Sequence, residues 1–429
     1  LVNMGNALER LGRFPEAMEK HKRSLQIKLE KLGDDHVDVA ATYENMGIVH
    51  KKQGEYKKAL ECYHKSLEIQ IKVLGHDHVD VAATNNNMGT VHQSLGDYAK
   101  ALECYRKSQE IQVKHLSRDH VDVAKTYLNE GNVYKSLGDY GKALKCYQKS
   151  QEIMVKALGH DHGHVASSKL GIANILKSQG KFTEALEEYH KVLEIQVKAL
   201  GHDNVDVAKT YNNMGVVHKQ LGDYAKALEC YQKDLEISCK HLGRDHVDVA
   251  TTLTNIGSIL DAQGKSKESL AKHQESLDIR LKALGHDHAD VARTYNNMGV
   301  AHQSLGDNAK ALECYEKTLQ IQVKHLGRDH VDVATTVDNM GLILQAQGKF
   351  AAALEKHQQA LDIFLSKLGH DHVDVASTQY NMALVHKSMN RKEEAGRLFS
   401  RCAKIYAQVY GADHGETLDA QKQAANCSK

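Results

Sequence analysis

The segment LGHDHVDVA, residues 74–82, returns with small variations every 42 residues. Its first aspartate marks the beat at Asp35, Asp77, Asp119, Asp161, Asp203, Asp245, Asp287, Asp329, Asp371 and Asp413. Ten beats without an insertion require one supersecondary unit, stacked in nearly constant geometry. A chain of 429 residues would otherwise suggest two or three domains at about 150 residues each. The unbroken period instead predicts a single elongated solenoid over 1–429. Residues 1–33 read as a truncated first repeat, and nine repeats run from about 35 to 412. Residues 413–429 read as a polar capping helix, centred on 416–425. The chain opens at Leu1 in mid-helix, which reads as a piece of a longer protein.

One unit gives the local structure. Asp35 is placed to cap a helix, with Asp38 supporting its positive end. Ala40, Tyr43, Met46 and His50 follow at steps of three and four, the spacing of one helical face. Gly54 stops this helix A. A second, longer helix B starts near Tyr56, and Leu60, Tyr63, Leu67, Ile71 and Leu74 form its core stripe. Glycines recur inside helix A at 47, 89, 131, 215, 257, 299 and 341. Each costs about 1 kcal/mol against alanine, so the pattern predicts close packing on helix B. Alanines 59, 101, 143, 185, 227, 311, 353 and 395 are the matching small residues there. The only proline, Pro15, sits at a helix start, where it is tolerated.

Two repeats depart from the pattern. The unit near 161 carries Gly163 and His164 for Val-Asp, and Ala173 for glycine. The last has Asn390 for the turn glycine and Lys392 for the aromatic residue.

These residues resemble the tetratricopeptide repeat. In one unit the resemblance rests on Tyr211, Met214-Gly215, Gly222, Tyr224, Ala227 and Tyr231. The usual unit has about 34 residues; the extra eight or so fall at the end of helix B and in the LGHDHVD loop. The long form is similar to the repeats of kinesin light chains and nephrocystin-type proteins, although His76 and Val79 stand where those loops carry proline, and no heptad segment is present. The resemblance implies an all-α, right-handed superhelical solenoid of tandem helix-turn-helix repeats, with the A helices lining a concave groove.

One inner-face position is asparagine at Asn3, Asn45, Asn87, Asn129, Asn213, Asn255, Asn297, Asn339 and Asn381, broken only by Gly171. Asparagine is a poor interior helix residue. The resemblance implies that these amides clamp an extended peptide backbone, having both donor and acceptor. The bland alternative is a bond to a neighbouring helix. Beside them, Lys125, Lys135, Lys177, Lys209, Lys219 and Arg293, with Asn132, suit an acidic peptide, and Glu130 is the nearest opposing charge. A solvated charged face is the competing reading.

Other classes are weakly served. Lys+Arg is 56 and Asp+Glu 55, a net charge of +1, which leaves no basic footprint for nucleic acid. No apolar run is long enough for a membrane span. Eight cysteines, five at one repeat position (Cys62, Cys104, Cys146, Cys230, Cys314), form no CxxC pair; free thiols in a reducing, cytoplasmic setting follow. Four loops carry HxH, as in His76/His78, but two histidines fall short of the three or four ligands zinc wants. Neither a metal nor a cofactor is expected. No nucleophile elbow, phosphate loop or HExxH is present, so an enzyme is not expected. The expectation is a protein-binding scaffold for proteins or extended acidic peptides. It includes a kinesin light chain-like cargo adaptor with kinesin heavy chain, in a microtubule motor complex, as partner. The alternative is a regulatory or oligomerising array of a larger signalling protein.

Overall fold

The computed structural model describes residues 1–10 and 13–427. All regular structure among them is helical, and the chain divides into two compact units, 1–221 and 222–429. The first holds α1 (Val2–Arg10), α2 (Phe14–Leu32), α3 (Val37–Lys52), α4 (Tyr56–Leu74), α5 (Val79–Ser94), α6 (Tyr98–His115), α7 (Val121–Ser136), α8 (Tyr140–Leu158), α9 (Gly163–Ser178), α10 (Phe182–Leu200) and α11 (Val205–Gln220). The second holds α12 (Tyr224–Leu242), α13 (Val247–Ala262), α14 (Ser266–Leu284), α15 (Ala289–Ser304), α16 (Asn308–Leu326), α17 (Val331–Ala346), α18 (Phe350–Leu368), α19 (Val373–Ser388), α20 (Lys392–Tyr410) and α21 (Gly415–Cys427). Within each unit the helices pair as hairpins, α3 with α4 or α13 with α14, and each hairpin packs on the next. From α3 to α20, helix A is 16 residues long, and helix B is 19 except in α6.

The glycines of helix A touch helix B as expected. A Cβ added at Gly47, Gly89, Gly131 or Gly299 would lie 2.5–2.7 Å from Cε1 of Tyr63, Tyr105, Tyr147 or Tyr315. Those rings are fully buried, and Ala59, Ala101, Ala143 and Ala311 are buried beside them. Gly257 and Gly341 face His273 and His357 in the same way. Where Ala173 replaces the glycine, a glycine stands two residues earlier, Gly171, and it faces the Tyr147 ring of the preceding helix B at 2.7 Å.

The helix starts differ from expectation. Helix A is capped by the histidine after the marker aspartate: His36, His78 and His120 accept the backbone N–H of Asp38, Asp80 and Asp122 through Nδ1, at 3.1–3.2 Å. Nδ1 lies as near to its own backbone as an aspartate oxygen would, and it accepts equally well. The marker aspartates are free of that duty. Asp35, Asp77, Asp119 and Asp161 instead pair with Lys72, Lys114, Lys156 and Lys198, near the end of the next helix B. Asp245 and Asp287 repeat this with Lys282 and Lys324. The lysine sits where a helix C-terminus favours a cation, and the hydrogen bond from Lys114 holds the Asp77 carboxyl below its ordinary range.

A buried polar ladder joins hairpins inside the core. Thr84, Thr126 and Thr210 donate to Gln70, Gln112 and Gln196 at 2.7–2.9 Å, and Thr336 donates to Gln322 at 2.8 Å. Removing one partner would strand the other, which costs about 1–3 kcal/mol.

Each helix B ends at a glycine with positive φ, such as Gly75 at 86°. At one junction Ser117 takes that place at φ 97°, and α6 ends at His115, one residue short of its siblings. Side chains resist this conformation. Ser117→Gly is therefore expected to raise stability by about 1 kcal/mol, read as a higher urea midpoint; an unchanged or lower midpoint would count against the strain. At the far end, α21 runs slightly longer than the sequence suggests and occupies the helix A register of a further repeat. It is fastened by Tyr380 donating to Asp419 and by Lys387 donating to Gln423 at 2.8 Å.

Candidate functional site

The fifth, eighth, ninth, twelfth and fifteenth residues of each A helix share one side, since steps of three and four return to the same face. The ninth is the asparagine row, half-buried at each asparagine from Asn45 to Asn381, whereas Asn3 of the truncated repeat is exposed. Asn87 donates to Glu44 at 2.8 Å, Asn129 to Asn86 at 3.2 Å and Asn381 to Asp338 at 3.0 Å, each on the preceding A helix. At these positions the amide N–H joins one repeat to the next. Asn213 donates to the Lys209 carbonyl at 3.1 Å and accepts from Lys177 at 2.9 Å. Asn132 accepts from the Tyr147 hydroxyl at 2.7 Å. The side-chain amides of Asn45, Asn297 and Asn339 make no hydrogen bond among the described residues, and Asn255 is half-buried in the same row.

The lysines separate into two rows along α7, α9 and α11. Lys125 and Lys209 take the fifth position; Lys135, Lys177 and Lys219 take the fifteenth. Ten residues of helix hold the rows about 15 Å apart. Between them lie the half-buried Leu128, Leu170 and Val216. The face is thus an apolar strip with a cationic margin on each side. Lys125 is paired with Asp122 at 3.0 Å, an exposed pair of little energetic weight. Lys209 is exposed and Lys219 half-buried. Lys135 and Lys177 form no ion pair with a carboxylate among the described residues. Burial first, and the Lys135 charge second, draw the Lys177 ammonium below the usual lysine range. Arg293 is paired with Asp290 at 2.7 Å.

Glu130 does not neutralise this row. It stands at the tenth position, where Met46, Met88, Met214, Met298, Met340 and Met382 fill the core. Burial pushes its carboxyl up to about 7, offset only by Lys149. Its nearest polar contact is the Cys146 thiol at 4.0 Å. Sequence reading named Glu130 as the nearest opposing charge; its half-buried place is visible only when the repeats are aligned and the methionine column appears.

The remaining chemistry is architectural. The second histidine of each HxH loop is a helix cap, and no group of three or more His, Cys, Asp or Glu is arranged for a metal among the described residues. The cysteine column is buried and unpaired, and burial pushes the Cys146 thiol up to about 12, which disfavours a reactive thiolate. No helix of the described residues is long and apolar enough to cross a membrane.

The sequence profile of the tetratricopeptide repeat matches in eight stretches: residues 1–63, 38–114, 122–180, 164–240, 206–282, 248–324, 290–366 and 332–407. The chain belongs to the tetratricopeptide repeat family, whose repeats bind proteins or peptides. No curated protein matches it. Among solved structures it is similar to BtubC (BKLC) from P. vanneervenii, 25% identical over 53% of this chain and 91% of that one, TM-score 0.47. It is also similar to the apo form of RapI, 16% identical over 66% and 97%, TM-score 0.52. A third likeness is a signal-transduction ATPase with numerous domains and a tetratricopeptide repeat sensor from Pyrococcus horikoshii, 12% identical over 83% and 54%, TM-score 0.58. The last two share the fold.

Proposed function

We propose that the A-helix face of α7, α9 and α11 receives an extended segment of a partner protein, acidic at its margins and apolar between them. The observation that carries this is the pair Lys135 and Lys177: both half-buried and without a carboxylate partner among the described residues, the Lys135 charge acting against the Lys177 ammonium. Leaving such cations unpaired costs stability, and a bound carboxylate would recover it. Leu128, Leu170 and Val216 supply the apolar contact. Asn45, Asn297 and Asn339 keep amide groups for a peptide backbone, whereas Asn87 and Asn129 contribute mainly by fixing the spacing of the A helices. As a whole the chain acts as a non-enzymatic scaffold. A cargo segment of a kinesin-type motor complex is the finer reading of its partner, carried by the likeness of its repeats to kinesin light chains.

The test is fluorescence anisotropy of a labelled peptide with glutamates flanking leucines. Lys135→Glu with Lys177→Glu should weaken binding at least about tenfold, as expected when two close charge pairs become repulsive, with the helical signal preserved. Equal affinity in wild type and double variant would overturn the reading.

A further inference from the structure

The outer face of helix B carries a recurrent charge pattern from which its last copy departs furthest; lesser departures are Lys145 at the sixth position of α8 and Ala271 and Glu275 at the sixth and tenth of α14. At the sixth position stand Glu61, Glu103, Glu187, Glu313 and Glu355; at the tenth, Lys65, Lys107, Lys149, Lys191 and Lys317; at the thirteenth, Glu68, Glu110, Glu152, Glu194 and Asp362. The alternation is self-satisfying. Glu103 pairs with Lys107 at 2.8 Å, and Glu313 with Lys317 at 2.7 Å. In α20 the same three positions are Arg397, Arg401 and Lys404, all exposed. Two signs are reversed, and the third lost its partners with them.

A second change coincides with this one. The fifth position of helix B is leucine in every repeat from Leu60 to Leu354, but Gly396 in α20. A Cβ there would meet the Cβ of Cys427 at 3.3 Å, so the glycine lets the end of α21 come in close. The result is a recess of about 770 Å³ beside α21, lined by Lys392, Gly396, Arg397, Ser400, Arg401 and Lys404, with Glu393 the one acid on its rim. Arg397 reaches Glu393 only at 3.7 Å, between two highly exposed side chains, and Arg401 approaches the His370 ring at 3.4 Å. Lys404 makes no ion pair among the described residues.

We infer that this recess is a second docking surface, distinct from the A-helix face, for a short carboxylate-rich segment of another protein. Charge complementarity selects the chemistry: four cations against one loosely held acid, where no other B helix carries more than two cations at the sixth, tenth and thirteenth positions. Size favours a peptide over a nucleic acid. From Arg397 to Lys404 the helix rises only about 10 Å, short of the extended basic stripe a phosphate backbone needs.

The experiment uses the full chain and fluorescein-labelled oligoglutamate, read by anisotropy and by carbodiimide coupling of carboxylate to lysine, followed by mass spectrometry. In the wild type, coupling is expected at Lys392 and Lys404. Arg397→Glu and Lys404→Glu restore the sibling signs and Arg401→Glu removes the remaining cation of the three, all at exposed sites, so folding should be unaffected. They should abolish coupling at Lys392 and weaken binding about tenfold. Lys135→Glu with Lys177→Glu should leave coupling at Lys392 and Lys404 intact, which separates this surface from the A-helix face. Absence of coupling at both lysines, or binding unchanged by the triple reversal, overturns the inference. So does binding to phosphatidylserine vesicles that depends on these three residues while oligoglutamate is ignored.

Discussion

Gly89→Leu is expected to destabilise the protein by about 3 kcal/mol, at the upper end of the range for overpacking. The position has no room: a Cβ alone would stand 2.5 Å from Tyr105 Cε1, and Tyr105 is fully buried among Ala101, Val133 and their neighbours. The ring has no free side to move toward, because protein interiors are packed near crystal density. One repeat shows what relief requires: Ala383 packs with Phe399, which has no hydroxyl. Gly89→Ala should accordingly cost less than Gly89→Leu. Gly163→Val is the control, since nothing lies within 4 Å of a Cβ there and sibling helices carry valine; it should be neutral or mildly stabilising. Urea midpoints read all three. A Gly89→Leu protein as stable as wild type would refute the contact that sets the A–B spacing.

Glu130→Met is expected to stabilise the protein by about 2–3 kcal/mol at pH 8, and the gain should vanish in acid. The Glu130 carboxyl titrates near 7 in the folded chain against 4.5 as its ordinary value. Every tenfold change in proton affinity is worth about 1.4 kcal/mol, and partial exposure trims the total. The sign follows from linkage. The folded state binds this proton more tightly than the unfolded state, so the group's stability contribution is intact below about pH 4.5 and is lost as pH rises toward 7. Above that it is constant. Methionine, the residue at this position in most other repeats, removes the titration and fills the core. The difference in unfolding free energy between variant and wild type, measured from pH 4 to pH 8, isolates Glu130 from the histidines. A flat difference would contradict its burial as a carboxylic acid.

Much of the fold was legible because the chain repeats its own experiment. Glycine at helix A and aromatic or histidine at helix B recur together, and a cost paid so often had to be answered by contact. Helix limits followed from Gly54 and Gly75 and their copies, which adopt positive φ. The cap was misassigned because Asp35 and His36 are adjacent acceptors, and only geometry decides which faces the free N–H groups. The asparagine row illustrates the same limit: sequence left a peptide clamp and a neighbour bond equally open, and Asn87, Asn129 and Asn381 use their N–H on the adjacent helix. The state of Lys177 depends on Lys135 one repeat earlier and Asn213 one repeat later, so no single repeat reveals it. In the last repeat, residues that read as decay include the charge reversal of α20, which takes on meaning only beside Gly396 and α21.

The most direct test of a partner-binding A-helix face is hydrogen–deuterium exchange with and without the glutamate-flanked leucine peptide. Protection is expected across α7, α9 and α11, with the outer faces of α8 and α10 unchanged. Protection confined to the B helices, or none at saturating peptide, would contradict the account.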